Sequence, residues 1–420
     1  MNDILLEKFF ETNRWSTAIN SADNKDIDKS LLRKLTDPRE RVRIYHMIKN
    51  DEYIIAPPHE AQIPKDDGTF RTVYVNENID RITLSIINDM LFELCSDMIH
   101  ERCKSYQKHI GCGKIVQHIS KIIQDTNEEN IGVKVDLSKY FDSVPIEFID
   151  DIFNKIEDKF GKSKILDILK NYYHDDTVLD INKNLISKYS SLRQGCAVAA
   201  FLADSVLYDI DDTISNKYNV YYVRYSDDIL IIGKDWEKAY NKLSEMLKSK
   251  SLTLNPKKVE KLYKHQWFRF LGFTLKNDMI SLSKGRIKTF QKEIEKRTVN
   301  KPDPNLNTVI NRVHRYLYKG NGEYSWATSV LPILNNQHDL DTLNNYVMDA
   351  IRAAVTKKTN IGGLGINTDQ TAYIILRGKG KNTKANKEKI PVLPGYTTLR
   401  CMQNAMRTCK EVYETLIRNM

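Results

Sequence analysis

Residues 219–233 have the sequence NVYYVRYSDDILIIG, in which β-branched and aromatic residues lie on both sides of Ser226-Asp227. Two apolar runs around a short polar turn are typical of a tight β-hairpin, so the sequence predicts a hairpin with Asp227 and Asp228 at its tip. Two aspartates in a polar turn are by themselves most often an ordinary solvated turn. The flanks here are apolar, however, and like charges at the buried end of a sheet require a nearby cation.

A second buried strand is predicted 91 residues before Asp227, in IGVKVDLSKYF at residues 131–141, and it ends at Asp136. If the two strands are neighbours, three carboxylates converge at one end of a sheet. Carboxylate oxygens are hard ligands that suit Mg²⁺, which also binds substrate phosphates. Two such ions about 3.5–4 Å apart stabilise the attacking and leaving oxygens of a phosphoryl displacement. The pattern predicts nucleotidyl transfer with two Mg²⁺ ions, for which Mn²⁺ is the expected substitute.

Composition restricts the class of protein. The chain has 420 residues, of which 41% are hydrophobic and 28% charged, and this excludes disorder over most of its length. Six cysteines without a C-x-x-C pair indicate neither a zinc site nor a disulfide framework and are typical of reduced thiols. No apolar run approaches the roughly 20 residues that span a bilayer, and the first residues do not resemble a signal peptide. We expect a cytoplasmic protein without a membrane partner.

Charge is unevenly distributed along the chain. Residues 251–420 contain 29 basic and 13 acidic residues, a net charge of +16, whereas residues 1–250 carry −7. This strongly basic region is typical of a surface that binds a polyanion. A solvated lysine-rich surface would give the same net charge.

The basic region contains specific candidates for contacts with phosphates. Two predicted helices carry them, Lys288 and Lys292 on the first and Arg312 and Arg315 on the second. Such contacts position a nucleic acid without recognising its sequence. The tract RGKGKNTKANKEK at 377–389 is either an RNA-binding loop or a solvated surface loop.

Six short motifs occur in the order in which reverse transcriptases carry them, and the chain therefore resembles that family over roughly residues 51–275. The motifs are IPKDDGTFRTV at 63–73 (fingers), VDLSKYFDSV at 135–144 (motif A), LRQGCAVAAFLA at 192–203 (motif B), YSDD at 225–228 (motif C), LTLNPKKVE at 252–260 (motif D) and FRFLGF at 268–273 (motif E, the primer grip).

The resemblance implies an α+β fold, that of a right-hand polymerase. Its reverse-transcriptase fingers and palm would be an antiparallel sheet packed on helices, followed by a helical thumb. The expected domains are an N-terminal helical extension at 1–50, the fingers and palm at 51–275, and a basic α-helical thumb and C-terminal region at 276–420.

The resemblance also assigns roles around the reacting phosphates. Asp136, Asp227 and Asp228 would be the catalytic, metal-binding triad. Lys65 and Arg71 would contact the incoming triphosphate, Arg71 through a bidentate fork. In motif D the matching position is Lys258, a candidate general acid for the pyrophosphate leaving group, although Lys257 is its immediate neighbour.

Three further residues would contact the sugar and the base. Phe141 matches the steric gate, whose bulk would exclude a ribose 2′-hydroxyl; as a bare residue it is more typical of a core. Gln194 and Gly195 would line the nascent base pair, with glycine allowing a close backbone approach.

Departures from the family pattern indicate a subgroup. Motif B lacks the Ser-Pro found in group II intron and many retron enzymes, and SYQKHIGCGK at 105–114 only partly resembles their G-F-R-P-G-R-S segment. No zinc, nuclease or RNase H motif is recognisable. The chain resembles the bacterial defence-associated reverse transcriptases of the unknown-group and abortive-infection clade, with type 2 as the favoured subtype. That implies antiphage defence, an associated non-coding RNA as template, deoxynucleoside triphosphates as substrates and DNA as product.

Other functions fit the sequence less well or stay open. A viral-type RNA-dependent RNA polymerase is disfavoured because Phe141 lies where that class has a second aspartate. A non-catalytic RNA-binding scaffold is disfavoured because the three carboxylates, Lys65 and Arg71 are all present. Untemplated or protein-primed DNA synthesis stays open, as do the primer, the copied RNA and the oligomeric state.

Overall fold

A computed structural model of the protein describes residues 3–21, 27–65, 68–107, 110–188, 191–319, 325–356, 361–362, 365–366, 393 and 395–404. The chain divides into two units. The first consists of Met1–His109 and Thr126–Tyr263, and the second of Ile110–Asp125 and Lys264–Met420. The domain boundaries expected at 50/51 and 275/276 stay predictions.

Helices and strands alternate irregularly along the chain, as in an α+β protein. The helices are α1 Ile4–Phe9, α2 Thr12–Ile19, α3 Lys29–Thr36, α4 Pro38–Lys49, α5 Asn78–Leu94, α6 Cys112–Asp125, α7 Tyr140–Ser143, α8 Ile146–Phe160, α9 Lys164–His174, α10 Ala199–Ser205, α11 Tyr208–Lys217, α12 Trp236–Ser249, α13 Lys284–Arg297, α14 Leu306–Lys319, α15 Gln337–Thr356 and α16 Leu399–Asn404. The strands are β1 His59–Pro64, β2 Phe70–Val75, β3 Asn130–Asp136, β4 Thr177–Leu179, β5 Leu185–Ser187, β6 Tyr221–Tyr225, β7 Asp228–Ile232, β8 Glu260–Tyr263, β9 Phe268–Phe270, β10 Phe273–Lys276, β11 Met279–Leu282, β12 Ile361–Gly362 and β13 Gly365–Ile366.

The central sheet of the first unit has the strand order β6-β7-β3-β8, and all its pairs are antiparallel. The strands β3 and β7 are apolar and buried, so their hydrophobic side chains fix the register between them. Helices α11 and α12 pack against this sheet. The predicted hairpin at 219–233 and the predicted strand before Asp136 are both confirmed, as is the expected class of antiparallel sheet packed on helices.

A second sheet in the first unit, the hairpin sheet, has the order β2-β1-β4-β5. Its β1–β2 hairpin pairs Ile63 with Arg71 and Pro64 with Phe70, so the fingers motif at 63–73 lies on two antiparallel strands. Gly68 has φ +82°, a conformation that glycine adopts without strain in a tight turn.

The apolar stretch that begins in motif B forms only a short helix. The apolar segment 196–207 is helical only from Ala199 to Ser205. Its first residues form a turn instead, because Gly195 has a positive φ and the Cys196 N–H donates to Arg193 O (2.9 Å).

The second unit contains an antiparallel sheet of order β11-β10-β9 together with α6 and α13–α16. The segment expected to be a primer grip forms β9, the Leu271-Gly272 turn and the start of β10. Phe268, Phe270 and Phe273 are buried there, and Arg286 lies over the Phe273 ring at 4.5 Å. None of the helices in the described part of the chain has the length and hydropathy that a membrane crossing requires.

Candidate active site

The central sheet brings the three aspartates of the predicted triad to one end. Asp136, the last residue of β3, pairs with Asp228, the first residue of β7, and the Leu137 N–H donates to Asp227 O at 3.0 Å. The neighbouring strands that the sequence argument required are therefore present. Asp227 lies at the tip of the β6–β7 hairpin, beside this pair.

The carboxylates are crowded and partly removed from water. Burial, followed by the charge of Asp136, raises the pKa of the Asp227 carboxyl. Burial, followed by the charges of Asp227 and Asp136, raises the pKa of Asp228 to about 6. The charges of Lys258 and Arg71 oppose this rise at Asp227. The cluster consequently favours a proton or another cation.

Lys258 reaches this cluster from the segment after α12. The Asn255 N–H donates to Asp136 O (2.8 Å), and the Asn255 side chain accepts from Lys257 N (3.1 Å) at the start of the 3₁₀ turn Pro256–Lys258. Lys258 Nζ then lies 2.7 Å from Asp136 Oδ2. Of the two neighbouring lysines, the structure therefore brings Lys258 to the carboxylates; its role as a general acid stays a prediction.

The two residues predicted to bind the triphosphate differ in their placement. Arg71, on β2, is close enough for its charge to oppose the rise in the pKa of Asp227. Lys65 lies on the exposed end of the β1–β2 hairpin, where its N–H donates to Thr69 O (2.7 Å). In the described part of the chain the Lys65 side chain makes no ion pair with the three carboxylates.

Gln194 and Gly195 are held against β2. The Tyr74 N–H donates to Gln194 O at 2.7 Å. Gly195 has φ +109°, and a Cβ there would lie 2.6 Å from Tyr74 O, closer than any ordinary carbon contact. Only glycine fits this turn, and the physical reason is the approach of the β2 backbone.

Phe141 follows Asp136 by five residues and lies in the short helix α7. Its neighbour Tyr140 is buried and donates to Ala203 O (2.7 Å), which anchors the helix. The Phe141 ring packs on Tyr140 with 5.7 Å between ring centroids and stays partly exposed. The ring also packs against the hydrophobic core, so both the core role and the steric gate stay predictions.

A buried polar network lies next to the β6–β7 hairpin, and the sequence patterns did not predict it. Arg224, in β6, is completely buried and forms a bidentate pair with Asp211 (2.8 and 2.6 Å), which also accepts from Tyr222 OH (2.6 Å). Arg224 also donates to Asp204 O at 2.8 Å. The sequence does contain one indication of this network, namely the single arginine inside the apolar strand β6. A buried charge must be paired, so Arg224 predicts a buried acidic partner.

The basic candidates of the second unit differ in their contacts. Lys288, Lys292 and Arg315 are exposed. Arg312 is only partly exposed; it pairs with Asp303 Oδ2 and donates to Lys301 O, both at 2.8 Å. The tract 377–389 lies outside the described residues.

The three carboxylates are the side chains that could hold the implied divalent metal. Within the described residues no group of three or more His, Cys, Asp or Glu side chains is already arranged around one point to hold an ion. The donor set nevertheless fits a hard cation, because Asp136 and Asp228 are cross-strand partners, and burial together with the charges of Asp227 and Asp136 raises the pKa of Asp228. In this structure the Lys258 ammonium neutralises Asp136 instead.

An antiparallel sheet with acidic residues at the end of β3 and at the β6–β7 tip is the arrangement of a nucleotidyltransferase palm. The chain belongs to the reverse transcriptase (RNA-dependent DNA polymerase) family, whose model matches residues 63–275, half of the chain.

Similarity to individual proteins is more distant. The putative COX1/OXI3 intron 2 protein of Saccharomyces cerevisiae is 27% identical over 175 residues, 41% of this chain and 19% of that protein. The chain thus spans about a fifth of the length of this curated relative. Apo telomerase from Candida tropicalis, truncated from its C-terminal domain, is 15% identical, with a TM-score of 0.41 over 56% of this chain and 58% of that one. Telomerase from Candida albicans in complex with a TWJ fragment of telomeric RNA is 12% identical, with a TM-score of 0.41 over 81% and 64% of the two chains.

Proposed function

We propose that this protein is an RNA-directed DNA polymerase that extends a 3′-hydroxyl with deoxynucleoside triphosphates. The observation that carries the proposal is the placement of Asp136 opposite Asp228 on β3 and β7, with Asp227 at the adjoining tip. These residues would hold two Mg²⁺ ions. When bound, such ions supply activation of the hydroxyl and stabilisation of the charge on the leaving pyrophosphate.

The other residues around the carboxylates would act on the substrate. Arg71 would clamp the triphosphate through its guanidinium fork, and Lys258 would donate a proton to the departing pyrophosphate. Phe141 would exclude ribonucleotides by its bulk. Gly195 would allow the nascent base pair to approach the backbone.

We further propose that the template is an associated non-coding RNA and that the activity serves antiphage defence in the bacterial cytoplasm. Support comes from the motif resemblance to defence-associated reverse transcriptases, type 2 in particular. The exposed Lys288, Lys292 and Arg315 of the second unit supply positive charge for RNA phosphates.

The test is incorporation of labelled nucleotides by the purified protein on an RNA template with an annealed primer. We expect dNTP incorporation that requires RNA template and Mg²⁺ and that EDTA abolishes. Incorporation without any template would support untemplated or protein-primed synthesis instead, and RNA binding without incorporation would support a non-catalytic scaffold. Sequencing of the nucleic acids that co-purify with the protein would identify the copied RNA.

A further inference from the structure

The segment before α6 contains a short extended stretch that runs along β6. The Arg224 N–H donates to Arg102 O (3.0 Å), and the Lys104 N–H donates to Arg224 O (2.9 Å). Cys103 and Arg224 thereby form a parallel bridge. This stretch pairs with the outer strand of the central sheet just before the acidic tip.

The next residue, Ser105, contacts the tip itself. Its hydroxyl accepts a hydrogen bond from the Ser226 N–H (2.9 Å) and donates one to Asp204 Oδ1 (2.6 Å). Ser105 and Asp204 are completely buried, and Ser226 is 7% exposed. One hydroxyl therefore satisfies a buried donor and a buried acceptor at once, in surroundings where an unmade hydrogen bond is costly.

The backbone at Ser226 needs such a restraint. Ser226 has φ +57°, in the left-handed region that residues other than glycine rarely adopt. A strained residue persists only where its surroundings hold it in place. Because Asp227 and Asp228 follow directly, any relaxation of Ser226 would move both carboxylates.

The same buried network holds the opposite side of the tip. Arg224 Nη1 donates to Ser226 O (3.3 Å), and its guanidinium is fixed by Asp211 and by Asp204 O. Both backbone polar groups of Ser226 are thus hydrogen-bonded to side chains of the buried network. The N–H donates to Ser105, and the carbonyl accepts from Arg224. Helices α10 and α11 carry the two network carboxylates, so the tip is tied to elements outside its own hairpin.

We propose that Ser105 is a positioning residue that sets the place of Asp227 and Asp228 by fixing the Ser226 backbone. The inference rests on the proposed polymerase function. Loss of the Ser105 hydroxyl should therefore lower the affinity for metal and the value of kcat. It should have little effect on the stability of the fold or on the KM for dNTP.

The experiment compares Ser105→Ala and Ser105→Cys with the parent chain. Cysteine fills the space that alanine leaves but is a poor acceptor, and a reducing buffer keeps it and the adjacent Cys103, whose Sγ lies 3.2 Å from the Ser105 hydroxyl, as thiols. Ser163→Ala is the matched control, because Ser163 is also buried and its hydroxyl also accepts a backbone N–H, that of Ile165 at 3.2 Å, at the start of α9. For each protein, Mn²⁺ affinity is measured by electron paramagnetic resonance without substrate, and kcat and KM for dNTP are measured on a primed RNA template.

We expect weaker Mn²⁺ binding and a kcat loss of roughly 10- to 100-fold in both Ser105 variants, since displacement of a catalytic group by about 1 Å costs up to about 100-fold. The KM for dNTP should change little. Ser163→Ala should lower the melting temperature while leaving Mn²⁺ affinity and kcat near those of the parent.

Parent-like Mn²⁺ affinity and kcat in folded Ser105 variants would overturn the inference, as would equal losses in Ser163→Ala. Failure of the proposed function gives a different result, because the parent itself would then incorporate no nucleotide.

Discussion

Lys258 Nζ lies 2.7 Å from Asp136 Oδ2, and this ion pair joins the segment after α12 to the last residue of β3. The ammonium lies on a carboxylate oxygen that a divalent ion would also use. Under the proposed function, a metal ion at Asp136 would compete with Lys258 for this carboxylate. Once released, Lys258 would be available to the leaving pyrophosphate, and the pair would then link metal loading to chemistry.

That competition gives the first prediction. Lys258→Met should strengthen Mn²⁺ binding, because the competing cation is gone, and should also slow incorporation, because the proton donor is gone. Mn²⁺ titration followed by electron paramagnetic resonance and single-turnover incorporation measure the two effects. Lys257→Met is the control, since Lys257 is an exposed neighbour. Identical behaviour of the two variants would contradict the assignment.

The second prediction concerns the carboxylates. Asp227→Ala combined with Asp228→Ala should abolish incorporation and, without metal, leave stability unchanged or raised, because repulsion within a crowded anionic cluster is relieved. Asp136→Ala should be equally inactive. The control is Asp151→Ala with Asp158→Ala on the exposed face of α8. Near-normal incorporation by either active-site variant in Mg²⁺ would show that the metal assignment is wrong.

The third prediction concerns sugar selection. Phe141→Ala should raise ribonucleotide incorporation relative to deoxynucleotide incorporation, because the proposed gate acts through bulk. The quantity to measure is the ratio of kcat/KM for dNTP and NTP. Phe148→Ala, at another partly buried phenylalanine, controls for general loosening of the core. An unchanged ratio in Phe141→Ala would mean that another residue selects the sugar.

The fourth prediction concerns RNA binding by the second unit. Changing Lys288, Lys292 and Arg315 to Glu should weaken RNA binding and flatten its dependence on salt. Each lost phosphate contact removes about 0.7–0.9 from the slope of log affinity against log salt. Incorporation on a short primed template at low salt should suffer less, because the carboxylates are untouched.

Charge reversal of three lysines in the first unit controls for net charge. They are exposed residues of α8, of the loop after it and of α11, namely Lys155, Lys162 and Lys217. An unchanged salt slope in the second-unit variant would place the RNA elsewhere.

The fifth prediction is a dependence of stability on pH. His314 is buried in α14, its Nε2 accepts from Thr397 N (3.1 Å), and its ring stacks on Tyr396. Burial lowers the pKa of His314 to about 4. The unfolded chain, with an ordinary pKa near 6.5, therefore takes up the proton first. Stability is complete above about pH 6.5 and falls as pH approaches 4, by up to about 3 kcal/mol.

Urea unfolding between pH 7.5 and 4.5 measures this effect. His314→Phe keeps an aromatic ring without a titrating group and should flatten the pH profile, although it loses the hydrogen bond from Thr397. His338→Gln, at an exposed position in α15, should leave the slope unchanged. A parent-like slope in His314→Phe would contradict the prediction.

The sequence by itself determined the features that depend on near neighbours. Alternating and continuous apolar runs specify β3 and the β6–β7 hairpin, because a strand forms where its own side chains match a buried or half-buried surface. The six motifs and their order indicated the family. The placement of Asp136, Asp227 and Asp228 at one sheet end also followed, once the two strands were assumed to be neighbours.

Only the tertiary structure decided which polar groups meet. The motif D resemblance favours Lys258 over its neighbour Lys257, but only the folded turn at Asn255 shows that Lys258 reaches Asp136. Arg312, which the sequence predicts to contact a phosphate, pairs with Asp303 in the folded chain. Ser105 meets Ser226 from 121 positions away. Such partners are chosen by the packing of whole elements, since a hydrogen bond needs its atoms within about 3 Å and sequence spacing carries no information at that scale.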